Sequence, residues 1–136
     1  FSTGNDIVAS PNTIQNNPGR GILVTRGASA RIVENIISNN GDDGVGVTRV
    51  SQADIANNTI NGNAGDGILV NSNSGVNLGN DTGTTIFDLP NNTTVSNGGV
   101  GVRCASSSYA DGRFGALSGN GGQKSFSASC VDSLIP

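Results

Sequence analysis

The 136-residue chain carries 21 Gly, 19 Asn, 34% apolar and 4% aromatic residues, a formal net charge of −3, and no His, Met or Trp. So low an apolar share, against the usual ~45–50%, argues against a helical bundle or an α/β core, and the length suits one domain. Without His there is no imidazole base, His-dependent triad or His metal site. Two Cys cannot build a four-thiolate zinc centre, and the acidic balance gives no reason to expect nucleic acid.

Gly- and Asn-rich composition leaves two alternatives, a disordered polar chain or a fold whose many turns need left-handed backbone. Only 12% of residues are charged, and Ile and Val recur in regular clusters, which favours the turn-rich fold. No apolar run approaches the ~18 residues of a membrane span, so no membrane partner is expected. The chain starts at Phe1-Ser2-Thr3, which reads as a processed form or an excised fragment. Residues 1–10 offer only Ile7 and Val8 before the first clear repeat. That end is expected to be uncapped, with either missing upstream repeats or homo-oligomeric association.

From residue 12 a period of 23 governs the chain. Asn12-Thr13-Ile14 and Gly21-Ile22-Leu23-Val24 belong to the first unit. Asn35-Ile36-Ile37 and Gly44-Val45-Gly46-Val47 repeat them in the second, and Asn58-Thr59-Ile60 and Gly67-Ile68-Leu69-Val70 in the third. A looser fourth copy is read at Val95-Ser96-Asn97-Gly98-Gly99-Val100-Gly101-Val102. If Gly99 follows Gly67 in phase, about nine residues are inserted, within 81–90.

Each unit holds three short alternating segments, in the second unit 30–33, 36–38 and 45–48, separated by Asn- and Gly-containing turns. Alternation with β-branched residues reads as strand. Stacked units form apolar columns Ile14/Ile37/Ile60, Ile22/Val45/Ile68, Val24/Val47/Val70 and Ile32/Ile55/Leu78, with a smaller Ala30/Ala53/Val76. The Asn12/Asn35/Asn58 column is predicted to be a ladder, each amide bonding its neighbour one turn (~4.8 Å) away. After Arg103 the period is lost. Residues 104–136 are expected to form a cap on a repeat region spanning 1–103, with Phe114, Leu117 and Phe126 sealing the open end. Cys104 and Cys130 read either as a disulfide, suited to a secreted protein, or as two buried thiols.

The pattern Asn-x-Ile-x-x-Asn…Gly-Ile-x-Val through residues 12–103 resembles the right-handed parallel β-helix of the pectin-lyase-like superfamily. The fold implied is all-β, a solenoid with about 23 residues per turn and three short parallel sheets. Leucine-rich repeats need a Leu-x-x-Leu-x-Leu core that this chain lacks. Calcium-binding nonapeptide repeats resemble Asn63-Ala64-Gly65-Asp66-Gly67-Ile68-Leu69 locally, but 23 does not divide by nine.

Arg20, Asp43 and Asp66 share one phase just before the second strand of the unit. Two carboxylates one turn apart need an arginine, a cation such as Ca²⁺ or a shared proton. The plain alternative is a row of turn residues in which Arg20 neutralises Asp43. The resemblance places substrate clefts on this strand's outer face. It makes Leu23/Gly46/Leu69/Gly101 and Thr25/Thr48/Asn71/Arg103 the outward columns, with Gly46 a notch for a flat sugar. Arg20, Leu23, Thr48, Leu69 and Asn71 are the candidate ligand-binding residues. Arg31 and Asp54 share another phase and read as a surface ion pair.

Asn40-Gly41-Asp42-Asp43-Gly44-Val45 resembles the paired-Asp segment of polygalacturonase-type hydrolases. Those enzymes also use a His and an Arg-x-Lys segment, whereas this chain has no His and only Lys124. Pectate lyases use Ca²⁺ on acidic residues and an arginine base, for which Asp43, Asp66 and Arg103 are the candidates. The resulting expectation is a secreted or surface β-helix module, structural or carbohydrate-binding, within a larger polysaccharide-directed protein. It needs no cofactor, calcium being the one ion the site could use. The alternative is a small polysaccharide lyase or glycoside hydrolase acting on acidic polysaccharide.

Overall fold

The computed structural model describes residues 11–79 and 92–136, which form five turns of a parallel β-solenoid. The first turn holds β1 (Thr13–Gln15), β2 (Ile22–Val24) and β3 (Ser29–Val33). The second holds β4 (Ile36–Ser38), β5 (Val45–Val47) and β6 (Gln52–Ala56), and the third β7 (Thr59–Asn61), β8 (Ile68–Val70) and β9 (Gly75–Leu78). β10 (Thr93–Asn97), β11 (Val102–Cys104) and β12 (Tyr109–Arg113) make the fourth, and β13 (Ala116–Gly119), β14 (Lys124–Phe126) and β15 (Val131–Ile135) the fifth. Each strand pairs in parallel with its counterpart one turn away, giving three five-stranded sheets. The predicted period is the register itself: Ile14 lies on Ile37, Ile22 on Val45 and Ile32 on Ile55.

Strands of three to five residues suffice because each contributes only one or two inward side chains. The five predicted columns form one continuous core, in which Ile37, Ile60, Val45, Ile68, Val47, Val70, Ile55 and Leu78 are fully buried. Corners alternate with strands, and several corner residues take the left-handed backbone that Asn and Gly tolerate. Asn39 has φ 54°, Asn57 φ 54° and Gly62 φ 63°.

Buried side-chain ladders cross all three corners. The expected one runs Asn12 Nδ2 to Asn35 Oδ1 (2.9 Å), Asn35 Nδ2 to Asn58 Oδ1 (3.0 Å) and on to Asn92 (2.9 Å). A second, unforeseen Asn ladder runs Asn17–Asn40–Asn63–Asn97 with amide contacts of 2.9, 2.9 and 3.0 Å. At the third corner Ser51, Ser74 and Ser108 each accept a backbone N–H from the preceding turn through Oγ.

The fourth turn departs from the expected phasing. Asn58 bonds Asn92, Asn63 bonds Asn97 and Ser74 bonds Ser108, each across 34 residues. Gly101, not Gly99, therefore follows Gly67, and the insertion is eleven residues, falling between positions 79 and 92. The predicted location of 81–90 lies outside the described residues, as does the expectation for residues 1–10.

Residues 104–136, expected as a cap segment of the same domain, carry the three-sheet pairing onwards. β12 pairs with both β9 and β15, and β13 and β14 extend the other two sheets. Phe114 and Leu117 are buried in the same core, and Phe126 packs on it. Cys104, on the inward Val24/Val47/Val70 column, is disulfide-bonded to Cys130. In the chain-entropy model closure of such a loop contributes about 3 kcal/mol.

The fifth turn brings two charges into core columns. Lys124 follows Ile22, Val45, Ile68 and Val102 down one core column, and Asp132 follows Ala30, Ala53, Val76 and Ala110 down another. Their side chains meet, Lys124 Nζ lying 2.5 Å from Asp132 Oδ2 and 5.6 Å from the Phe126 ring centre. Inward charges on an edge strand oppose addition of another strand or molecule. Restoring the columns with Lys124→Val and Asp132→Ala should give concentration-dependent association by sedimentation velocity relative to the native chain. An unchanged sedimentation profile would show that the ion pair does not guard this end.

Candidate functional site

The loops entering β2, β5 and β8 place Arg20, Asp43 and Asp66 at one phase. Gly21 N donates to Asp43 O (3.1 Å) and Gly44 N to Asp66 O (2.9 Å), stacking these loops. Asp43 Oδ2 accepts from Arg20 Nε at 2.7 Å, and its Oδ1 accepts the Asp66 backbone N–H at 2.9 Å. Asp66 repeats the arrangement one turn on. Its Oδ1 accepts Val100 N–H (2.8 Å) and Arg103 Nη2 (3.2 Å), and its Oδ2 accepts Arg103 Nε (2.6 Å). Arg20 also lies 3.4 Å from Asp42. Both core carboxylates are buried, Asp43 4% and Asp66 6% exposed, and each has an arginine and a backbone amide.

Burial has the largest influence on Asp43 and raises its pKa above the ordinary carboxylate value. The Arg20 bond and the Asp66 amide pull it down without cancelling that effect, and Asp42 adds to the rise. The hydrogen bond to Asp66 holds the Arg103 pKa above its usual value, against the opposing effect of burial.

Above this row, the expected sugar notch is filled. A Cβ placed on Gly46 would lie 2.7 Å from Arg20 Cδ and 2.9 Å from its Nε, so the arginine side chain runs across the glycine. Leu23 is 51% exposed, but Leu69 is only 9% exposed. Arg103 pairs in register with Leu69 and reaches back one turn to Asp66, covering that rung. It therefore belongs to the Leu23/Gly46/Leu69 column, and Gly101 sits two residues earlier, in the phase of Gly67. Phasing on Gly99 displaces both, whereas the offset of 34 set by Asn92 and Asn97 places Arg103 correctly. Thr48 Oγ1 donates to Thr25 Oγ1 at 3.1 Å, and Asn71 continues that column, with Ala105 in the place expected for Arg103. Arg31 and Asp54 pair in register, and Asp54 accepts a bond from Asn77 at 2.9 Å.

The Asp43–Asp66 pair does not suit Ca²⁺, which takes six to eight oxygen ligands. Each carboxylate already accepts an arginine and a backbone amide. Among the described residues no group of three or more His, Cys, Asp or Glu is placed to hold a metal ion.

A solenoid of stacked parallel strands with corner ladders defines the class of fold. A family model for the right-handed β-helix region matches residues 1–114, and the chain belongs to that family. No curated protein and no solved structure matches the chain.

The raised pKa of Asp43 sets a pH dependence. The folded state holds this proton more tightly than the unfolded chain, so the group adds stability at low pH that is lost as pH rises through the folded pKa. The native chain should therefore gain stability relative to Asp43→Asn as pH is lowered from 7 towards the ordinary carboxylate pKa. Paired denaturant titrations check this, and a difference that stays flat or shrinks on acidification would contradict it.

Proposed function

We propose that this chain is a non-catalytic carbohydrate-binding β-helix module of a secreted or surface protein directed at polysaccharide. The observation that carries the reading is the state of the two buried carboxylates. A general acid or base needs an oxygen open to substrate, yet Asp43 and Asp66 spend theirs on Arg20, Arg103 and backbone amides. Such a row fixes the register of loops. The Cys104–Cys130 disulfide supports an oxidising location. Polar rows such as Thr25–Thr48–Asn71, just past β2, β5 and β8, offer the repeating hydroxyl and amide groups that a glycan chain can bond.

One observation favours a second reading, a lyase or hydrolase acting on acidic polysaccharide. Burial raises the Asp43 pKa, as it does in general acids. The two readings separate in a panel of acidic and neutral polysaccharides assayed for both retention and product release, with and without Ca²⁺. The expected result is retention without release of reducing or unsaturated ends. Product that disappears in Asp43→Ala and Asp66→Ala would establish the enzyme instead, and retention of no polysaccharide would remove the binding role.

A further inference from the structure

Where each turn passes from β2, β5, β8 and β11 to β3, β6, β9 and β12, two consecutive residues adopt left-handed backbone. The pairs are Arg26-Gly27 (φ 62° and 74°), Arg49-Val50 (57° and 60°), Ser72-Asn73 (58° and 59°) and Ser106-Ser107 (56° and 55°). Gly and Asn accept this conformation readily, whereas arginine and β-branched valine resist it. The first two turns thus carry three unfavourable residues, Arg26, Arg49 and Val50, at a corner where Ser and Asn serve in the next two. Backbone strain held in this way points towards function.

Charge makes the same corner stand out. Gly27 N donates to Arg49 O at 3.0 Å, so Arg26 and Arg49 occupy equivalent positions one turn apart. Both are exposed, and neither has an acidic partner among the described residues, whereas Arg20, Arg103 and Lys124 are each ion-paired. Two like charges stacked at the turn spacing repel unless an anion lies between or across them. Beside them Val50 is 69% exposed. Three residues beyond Arg49, Gln52 accepts a hydrogen bond from Tyr109 Oη at 3.4 Å. The Tyr109 ring lies across Gly75, leaving no space for a Cβ there, and so extends along the sheet surface towards Gln52.

We infer that this corner is the glycan-contacting strip, and that its ligand is an acidic polysaccharide chain lying along the solenoid axis. Arg26 and Arg49 present guanidinium forks at the turn repeat of ~4.8 Å. They would each take a carboxylate or sulfate oxygen pair. Tyr109 and Val50 supply the apolar surface for the C–H face of a sugar ring. The net charge of −3 would repel a polyanion elsewhere, which confines the chain to this edge. The inference rests on the carbohydrate-binding reading and adds where the chain binds and that it is anionic.

The test uses the full chain and four probes at low and raised salt: polygalacturonate, dextran sulfate, neutral dextran and single-stranded DNA. Binding to one or both acidic glycans that weakens with salt is expected, with neutral dextran and DNA bound more weakly; the two acidic probes separate carboxylate from sulfate preference. Arg26→Gln with Arg49→Gln should cost about tenfold or more in affinity, and Tyr109→Ala several-fold. Arg49→Gly is the sharpest variant, because it removes a charge while relieving the left-handed backbone. It should bind less and unfold at equal or higher denaturant concentration, whereas a merely structural arginine would not separate the two readouts. Acidic-glycan binding that survives the arginine changes, or an equal preference for neutral dextran, would overturn the site and leave the module a glycan binder elsewhere. DNA bound as tightly through the same arginines would overturn the glycan assignment. No binding to any glycan would remove the underlying reading as well.

Discussion

Buried amide and hydroxyl side chains at the corners of each turn must find partners, and in this fold the ladder partners lie one turn away. Asn58 shows the constraint: 1% exposed, it donates to Ile32 O, Ala56 O and Asn92 Oδ1 and accepts from Asn35. A typical hydrogen bond contributes about 1 kcal/mol net, but a buried polar group left without one costs about 1–3 kcal/mol. Slipping one turn against the next would strand every member of a ladder together. That penalty locks the period and lets a chain with so few apolar residues keep a single register.

The lock explains what the fold tolerates. Eleven additional residues enter between positions 79 and 92, yet all three ladders resume at Asn92, Asn97 and Ser108. Loop closure grows only slowly with length, so an insertion at a corner costs little once the ladder residues on each side are preserved. The same register carries the outer rows. Arg20–Asp43 and Asp66–Arg103 are ion pairs between turns, so their geometry fixes loops as much as it presents charge. The fifth turn departs from the apolar columns: Lys124 and Asp132 enter positions that earlier turns fill with Ile, Val and Ala.

Much of this was readable wherever three copies kept the 23-residue spacing. The apolar columns, the first Asn ladder and the Arg20–Asp43–Asp66 row all meet that condition. The second Asn ladder met it too, through Asn17, Asn40 and Asn63, but those residues resemble ordinary loop Asn until a partner is assigned. Reading failed where the columns changed chemistry. Gly98-Gly99-Val100-Gly101 offers glycine at several phases, and only the paired ladder residues Asn92 and Asn97 decide between them. The strands after Arg103 were obscured because Gly112, Lys124 and Asp132 occupy positions that are apolar above. The filling of the Gly46 notch by Arg20 was also beyond sequence, since it depends on which way a long side chain lies.

The central claim is that buried corner ladders hold the solenoid in register. It is tested most directly by comparing Asn63→Ala with Asn12→Ala in equilibrium denaturation. Asn63 accepts from Asn40 and donates to Ile37 O and Asn97 Oδ1, whereas Asn12 is exposed at the end of its ladder. Removing Asn63 should destabilise the chain by about 2–4 kcal/mol and removing Asn12 by less than about 1 kcal/mol. Equal, small losses for the two variants would contradict the account.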